Sequence, residues 1–224
     1  SGRPFLRRMP GTWQYALGEE FLVAPIFEGS AVREVVIPEG RWLDYWQPLT
    51  AYEGPTRLQV EVPEDRLPVY VRSGSIVPLD VQNDYADHAS TSGGAGGSTR
   101  LTTGGSGAGA TALTLDIYPD AEREATFRLW EHGRGLTELA CRVEGGATVV
   151  TINGQEPRAY ILRLLTRQAP ARVELAGVES NRPLAQLSAQ EWEAGAVGWR
   201  YETSEARTWV RLGPVSGAVV VRLR

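Results

Sequence analysis

The chain has 224 residues, 42% of them apolar and 22% charged, with a net charge of −4 at pH 7. That length suits one large domain or two ordinary ones, and the composition excludes bulk disorder. The mild acidity gives no footprint for nucleic acid or an anionic membrane; all 23 basic residues are Arg, which excludes Lys-dependent chemistry, and one Cys with two His excludes a disulfide framework or a Cys/His-rich zinc site.

The chain opens Ser1-Gly2-Arg3-Pro4 without an initiator Met. No basic segment followed by an apolar stretch marks a signal peptide. The mid-pattern start leads us to expect a processed or excised piece of something longer. The longest apolar run, 21–27, is interrupted by Pro25 and is far below the roughly 20 residues that span a bilayer. Residues 1–79 hold short strand-like runs at 22–27, 33–39, 41–46, 57–63 and 67–79. Leu58, Val60 and Val62 alternate with Gln59 and Glu61, the period of a half-buried strand. Pro38-Glu39-Gly40 and Glu53-Gly54-Pro55 read as turns. Val71 to Ile76 reads as two strands joined at Gly74.

Residues 80–111 are polar and low in complexity. The stretch 92–110 carries eight of the 25 Gly and little that could be buried, so it reads as a flexible linker or loop. No strand–Gly–helix context makes it a phosphate loop. From 112 onward strand-like runs return, at 112–119, 124–132, 136–146, 147–154, 171–177, 198–204, 207–213 and 218–224. Phe127 and Leu129 alternate with Arg128 and Trp130, and Val219, Val221 and Leu223 form a second alternating set. Gly145-Gly146 and Asn153-Gly154 are turn signals, with Asn-Gly the stronger hairpin mark. Residues 159–167 fit either a strand or a short helix. The clearest helix lies in 183–195, where Ser188 and Glu191 have capping-box spacing. The pattern predicts an all-β fold of sandwich type.

Candidate chemistry is sparse. No C-x-x-C, H-E-x-x-H, G-x-S-x-G or EF-hand loop occurs. His88 and His132 read as surface residues and Cys141 as a buried structural thiol. Two carboxylates suffice for glycoside hydrolysis, and Asp44, Asp116 and Asp120 each lie among aromatic residues. Sandwich strands also put aromatics in cores and Asp at turns, which favours structural roles for all three. A small self-contained enzyme using Asp44 with Asp116 is the least supported reading.

The stretch 18–46 resembles glycoside hydrolase family 31, the α-glucosidase and α-xylosidase family. The family phrase G-x-x-L-L-V-A-P-V has its counterpart in Gly18 and Leu22-Val23-Ala24-Pro25-Ile26. V-x-L-P-x-G-x-W-x-D-Y-W is matched by Val36-Ile37-Pro38-Glu39-Gly40-Arg41-Trp42-Leu43-Asp44-Tyr45-Trp46. Tyr52-Glu53-Gly54 follows, then Pro63 to Pro78 in place of P-L-x-R-I-P-V-F-V-R-A-G-S-I-I-P. Gly2-Arg3-Pro4-Phe5-Leu6-Arg7 looks like the last strand of the family's catalytic barrel. Residues 113–119 with 126–133 resemble the opening of its distal domain, although Trp130-Glu131-His132-Gly133 lacks two acids of the usual Y-E-D-D-G. Residues 198–202 and 207–212 resemble that domain's closing strands.

The resemblance implies two antiparallel β-sandwiches in tandem. Residues 1–17 would be the end of a (β/α)8 barrel, 18–79 the proximal sandwich, 80–111 a Gly/Ser-rich linker or loop, and 112–224 the distal sandwich. The family's catalytic aspartates sit in W-x-D-M-N-E and G-D-N phrases, and neither phrase occurs here. The implied role is therefore the non-catalytic C-terminal portion of a retaining α-glycosidase, inactive alone, with no catalytic residue, metal or cofactor. Its implied partner is its own catalytic barrel, with carbohydrate as a further candidate, and neither nucleic acid nor membrane. The alternative is a stand-alone carbohydrate-binding module. Faces that pack on a barrel would be left as exposed apolar patches, which leads us to expect self-association.

Overall fold

The computed structural model describes residues 6–9, 12–25, 32–61, 66–79, 112–131, 135–177 and 181–224. Six strands come first: β1 (Leu6–Arg8), β2 (Tyr15–Leu17), β3 (Phe21–Val23), β4 (Val32–Asp44), β5 (Ala51–Glu61) and β6 (Val69–Arg72). They form one antiparallel sheet in the order β1-β2-β3-β6-β4-β5. Along β5 the expected period of two is present, with Leu58 and Val60 turned inward and Gln59 and Glu61 outward. The turn signals at 38–40 and 53–55 do not end strands. They face each other inside β4 and β5, where Gly40 pairs with Gly54 beside a register shift. The ribbon bends there because an extra residue in one strand kinks the ladder. Gly54 permits the bend, since a Cβ in its place would run into the Pro38 carbonyl oxygen. The bend lets Val35 and Ile37 pack with Leu22, Ala24, Trp42 and Tyr70 in one core. The Gln14 side chain substitutes for a missing neighbour strand. Its Nε2 donates to the Val36 carbonyl (2.9 Å) and its Oε1 accepts from Val36 N–H (2.7 Å).

The next strand, β7 (Ser75–Leu79), leaves this sheet and joins another. The second sheet adds β8 (Leu113–Tyr118), β9 (Ala125–Glu131), β10 (Gly135–Glu144), β11 (Ala147–Leu165), β12 (Val173–Ala176), β13 (Asn181–Pro183), β14 (Gly198–Glu202) and β15 (Arg207–Leu223). Gly74, at φ +72°, makes the sharp reversal between β6 and β7. L residues with a Cβ rarely adopt that conformation, and a Cβ there would also press on Arg123 at 3.1 Å. Among the described residues, every strand up to Arg72 lies in the first sheet and every strand from Ser75 in the second. The two lobes are thus joined covalently through Ser73-Gly74.

The second lobe is built on one long ribbon. β11 and β15 pair antiparallel from Thr148↔Leu223 to Leu165↔Arg207, with register shifts between Gly154 and Tyr160. On one side of the shift the ribbon carries β10 and β12; on the other it carries β8 and β14. The sheet folds over itself there and encloses a single core that includes Leu115, Ile117, Cys141, Val150, Leu162 and Val221. Burying this much branched aliphatic and aromatic surface is the main stabilising term of such a lobe.

Among the described strands the pairing is antiparallel except at one place, where β8 runs parallel to β11. Asn153-Gly154 is not a hairpin turn; it lies inside β11 at the bend, with Gly154 opposite Gly217. The β10–β11 hairpin closes at Gly145-Gly146, both at positive φ. Residues 159–167 form no helix. Tyr160, Leu162 and Leu164 alternate inward along β11, and the apparent i, i+3, i+4 match comes from residues on the two faces of a strand. The expected helix forms as α1 (Ala189–Glu193), with both arms of the Ser188–Glu191 capping box present. The expected barrel-strand phrase begins in residues 1–5, outside the described residues; Leu6–Arg8 forms the edge of the first sheet. Residues 80–111 also lie outside them, while their flanks, Leu79 and Thr114, are paired neighbours within the second sheet.

Candidate functional site

The strand β8 is buried on both faces. Leu113, Leu115 and Ile117 enter the second-lobe core. Tyr118, on the other face, packs with Leu43 and Val71 of the first lobe. Residues 113–118 alternate as Leu-Thr-Leu-Asp-Ile-Tyr, with Thr114, Asp116 and Tyr118 on the junction face. Asp116 is buried on that face, and the ladder determines its partners. Parallel pairing sets Asp116 opposite Arg163, and β15 brings Arg207 alongside. Asp116 Oδ1 lies 3.1 Å from Arg163 Nε, and Oδ2 lies 3.7 Å from Arg207 Nη2. Arg207 donates from Nη1 to the Arg163 carbonyl and from Nη2 to the Tyr118 hydroxyl, both at 3.1 Å. Arg163 Nη2 stands 3.7 Å from Glu205. Burial raises the Asp116 carboxyl above the ordinary carboxylate range, against the pull of Arg207 and Arg163. Burial likewise pushes the Tyr118 hydroxyl up to about 12.

A cleft of about 530 Å³ opens above this cluster, with the 45–50 loop of the first lobe as its other wall. That loop is fixed by Asp44, whose Oδ1 accepts from the N–H groups of Trp46 (2.8 Å) and Gln47 (2.9 Å). Trp46 Nε1 donates to the Leu67 carbonyl at 2.7 Å. Tyr45 meets Phe21 edge-on at 6.2 Å and Trp46 at 5.3 Å. A second cleft, of about 400 Å³, lies across the junction and is lined by Arg41, Arg72, Arg123 and Asp120 among others. Asp120 Oδ1 accepts from Glu122 N–H (2.8 Å) and Arg123 N–H (3.0 Å). Burial acts to raise its carboxyl, but hydrogen bonds from Ser73 and these N–H groups, with the Arg41 charge, hold it below the ordinary range.

The three candidate aspartates are therefore in different settings. Asp44 holds a loop, Asp116 lies in the first cleft and Asp120 caps a turn at the second, so neither of these clefts takes in two of them. Cys141 is buried in the second-lobe core, and burial, with the nearby Glu124 charge, pushes its thiol up to about 12. His88 and His132 lie outside the described residues. Among the described residues no group of three or more His, Cys, Asp or Glu side chains could hold a metal. No helix among them is long and apolar enough to cross a membrane. Sequence reasoning missed Arg163, Arg207 and Glu205. The signal available was an Arg at an outward position of an otherwise buried strand, as at Arg163 between Leu162 and Leu164.

Residues 7–77 match the glycosyl hydrolase family 31 C-terminal domain. Over these residues the chain is similar to that domain. The likeness extends further along the chain. The isomaltosyltransferase of Sporosarcina globispora is 27% identical over 223 residues, covering 95% of this chain and 18% of that protein. An α-glucosidase of Saccharolobus solfataricus is 36% identical over 67 residues, 30% of this chain and 9% of that enzyme. The fold matches a family 31 dextranase of Flavobacterium johnsoniae with a TM-score of 0.72 at 22% identity, over 94% of this chain and 26% of that one. The cycloalternan-forming enzyme of Listeria monocytogenes also gives 0.72, at 21% identity, over 94% and 18%. The chain thus spans about a quarter or less of the length of these relatives. The clefts described above lie where the segment similar to that domain meets the second lobe.

Proposed function

We propose that this chain is the non-catalytic C-terminal β-sandwich portion of a family 31 glycoside hydrolase, and that it braces the catalytic barrel of the same enzyme. The observation that carries the reading is coverage. Almost the whole chain aligns with less than a fifth of the isomaltosyltransferase. The sequence also holds neither the W-x-D-M-N-E nor the G-D-N phrase that carries the family's catalytic aspartates. Exposed Trp13, in the β1–β2 connection beside the phrase that resembles a barrel strand, supports a docking face at that end. Large exposed aromatics are where association energy concentrates.

Two measurements test the two halves of this reading. The purified chain is expected to release no aryl aglycone from 4-nitrophenyl α-glucoside or α-xyloside beyond the buffer rate. Turnover above that rate overturns the non-catalytic role. Mixed with the separately expressed catalytic barrel of its own enzyme, the chain is expected to co-elute with it and raise its Tm. Separate elution with an unchanged Tm overturns the bracing role.

A further inference from the structure

We infer that the cleft between the 45–50 loop and the Asp116–Arg163–Arg207 cluster is a binding site for a neutral, hydroxyl-rich ring, a mono- or disaccharide. The floor carries two acids, Asp116 and Glu205, and two Arg, so its formal charges cancel. Such a floor has no net charge with which to hold an ion. It does hold unspent hydrogen-bonding capacity. Asp116 Oδ1 is closed to solvent beside Arg163 Nε at 3.1 Å, so the charged groups that reach a ligand are Glu205 and Arg163, whose side chains are 43% and 23% exposed. A carboxylate has about four acceptor sites, and Glu205 meets Arg163 only at 3.7 Å, beyond hydrogen-bond reach. Hydroxyl donors from a ligand fill them without adding charge.

The opposite wall supplies what a sugar ring needs besides hydrogen bonds. Tyr45 and Trp46 line the cleft at 38% and 47% exposure. Both rings are held in place before any ligand arrives. Trp46 is held by its bond to the Leu67 carbonyl and by the Arg66 guanidinium 5.7 Å from its ring centre, Tyr45 by its edge contact with Phe21. Preorganised rings lose little side-chain entropy on binding. Apolar C–H faces stack on such rings while hydroxyls reach the charged floor. The volume of about 530 Å³ is within the range of small-molecule sites. The site is independent of the bracing role, since both can hold or fail separately.

Isothermal titration of the whole chain with glucose, maltose and isomaltose, each up to tens of millimolar, tests the inference. Saturable binding of at least one sugar is expected. Tyr45→Ala and Trp46→Ala, each checked for native circular dichroism, are expected to weaken it at least tenfold. Trp130→Ala is the control: Trp130 is 68% exposed and lies outside the cleft lining, so binding is expected to be unchanged. The absence of saturable heat with all three sugars overturns the inference. So does binding that survives both cleft variants, binding lost in Trp130→Ala, or heat from inorganic phosphate with none from the sugars.

Discussion

Cys141 is the residue whose environment makes the sharpest solution prediction. Its thiol ordinarily titrates near 9 and is pushed up to about 12 by burial. Between those values the unfolded chain has released a proton that the folded chain retains. Stability is therefore intact below pH 9 and declines above it, by up to ~1.4 kcal/mol per pH unit. The chain has no Lys, so little else titrates just above pH 9, and the buried Tyr118 adds its own decline only from near 10. Urea unfolding at pH 8.5 and 9.5 is expected to show this loss in the wild type and not in Cys141→Ala. Equal losses in the two proteins contradict it. Burial of this thiol was legible in the sequence, because Leu139, Cys141 and Val143 share one period-two face. The charge cluster was not legible. Asp116 stands out as a carboxylate among aromatics, but Arg163 and Arg207 reach it only through strand pairing across long sequence separations, which no local pattern encodes.

At the scale of elements, glycines facing each other across a ladder mark where ribbons bend. Gly40 pairs with Gly54, and Gly154 with Gly217. Local sequence presents each as a turn signal, since Gly and Asn permit, and Pro fixes, the same backbone conformations in a bend as in a turn. Only the length of paired strand beyond the glycine distinguishes the two cases. Gly54→Ala is expected to destabilise the chain by at least about 2 kcal/mol, because its Cβ meets the Pro38 carbonyl oxygen. A denaturant midpoint equal to that of the wild type contradicts this bend geometry. The α1 helix shows the opposite case: its capping box is a contact between near neighbours in sequence, and the spacing alone predicted it. Residues 80–111 link two strands that are already paired, Leu79 with Thr114. Replacing them by a five-residue turn is expected to keep the fold and to stabilise it by about 1–2 kcal/mol, from the logarithmic cost of closing a long loop. Loss of cooperative unfolding in that variant contradicts the expectation.

At the scale of the whole molecule, the two lobes meet through a small apolar junction of Leu43, Val71 and Tyr118, with Phe21, Ala51, Val77 and Leu165 packed around it. The two flanking clefts are the parts of that seam left unfilled. Leu43→Ala is expected to cost about 2–4 kcal/mol and, because Leu43 belongs to the seam, to separate one thermal transition into two. A single transition lowered uniformly contradicts the seam as the coupling element. The all-β class and the strand positions followed from alternation. How the strands are shared between lobes did not, because the reversal at Gly74 reads in sequence like any tight hairpin, although β6 and β7 pair with different sheets.

That single crossing has a consequence for synthesis. The first sheet draws all its described strands from residues 6–72, and no later described strand joins it. As the chain leaves the ribosome, every described strand of this sheet has emerged before β7 does. The first lobe can close while the second is still unmade, and domains completed early in synthesis generally fold as units. The second lobe has no such liberty. Its central ribbon runs to Leu223, so its core waits until that strand is translated, and the finished lobe waits beside it as a template for the seam.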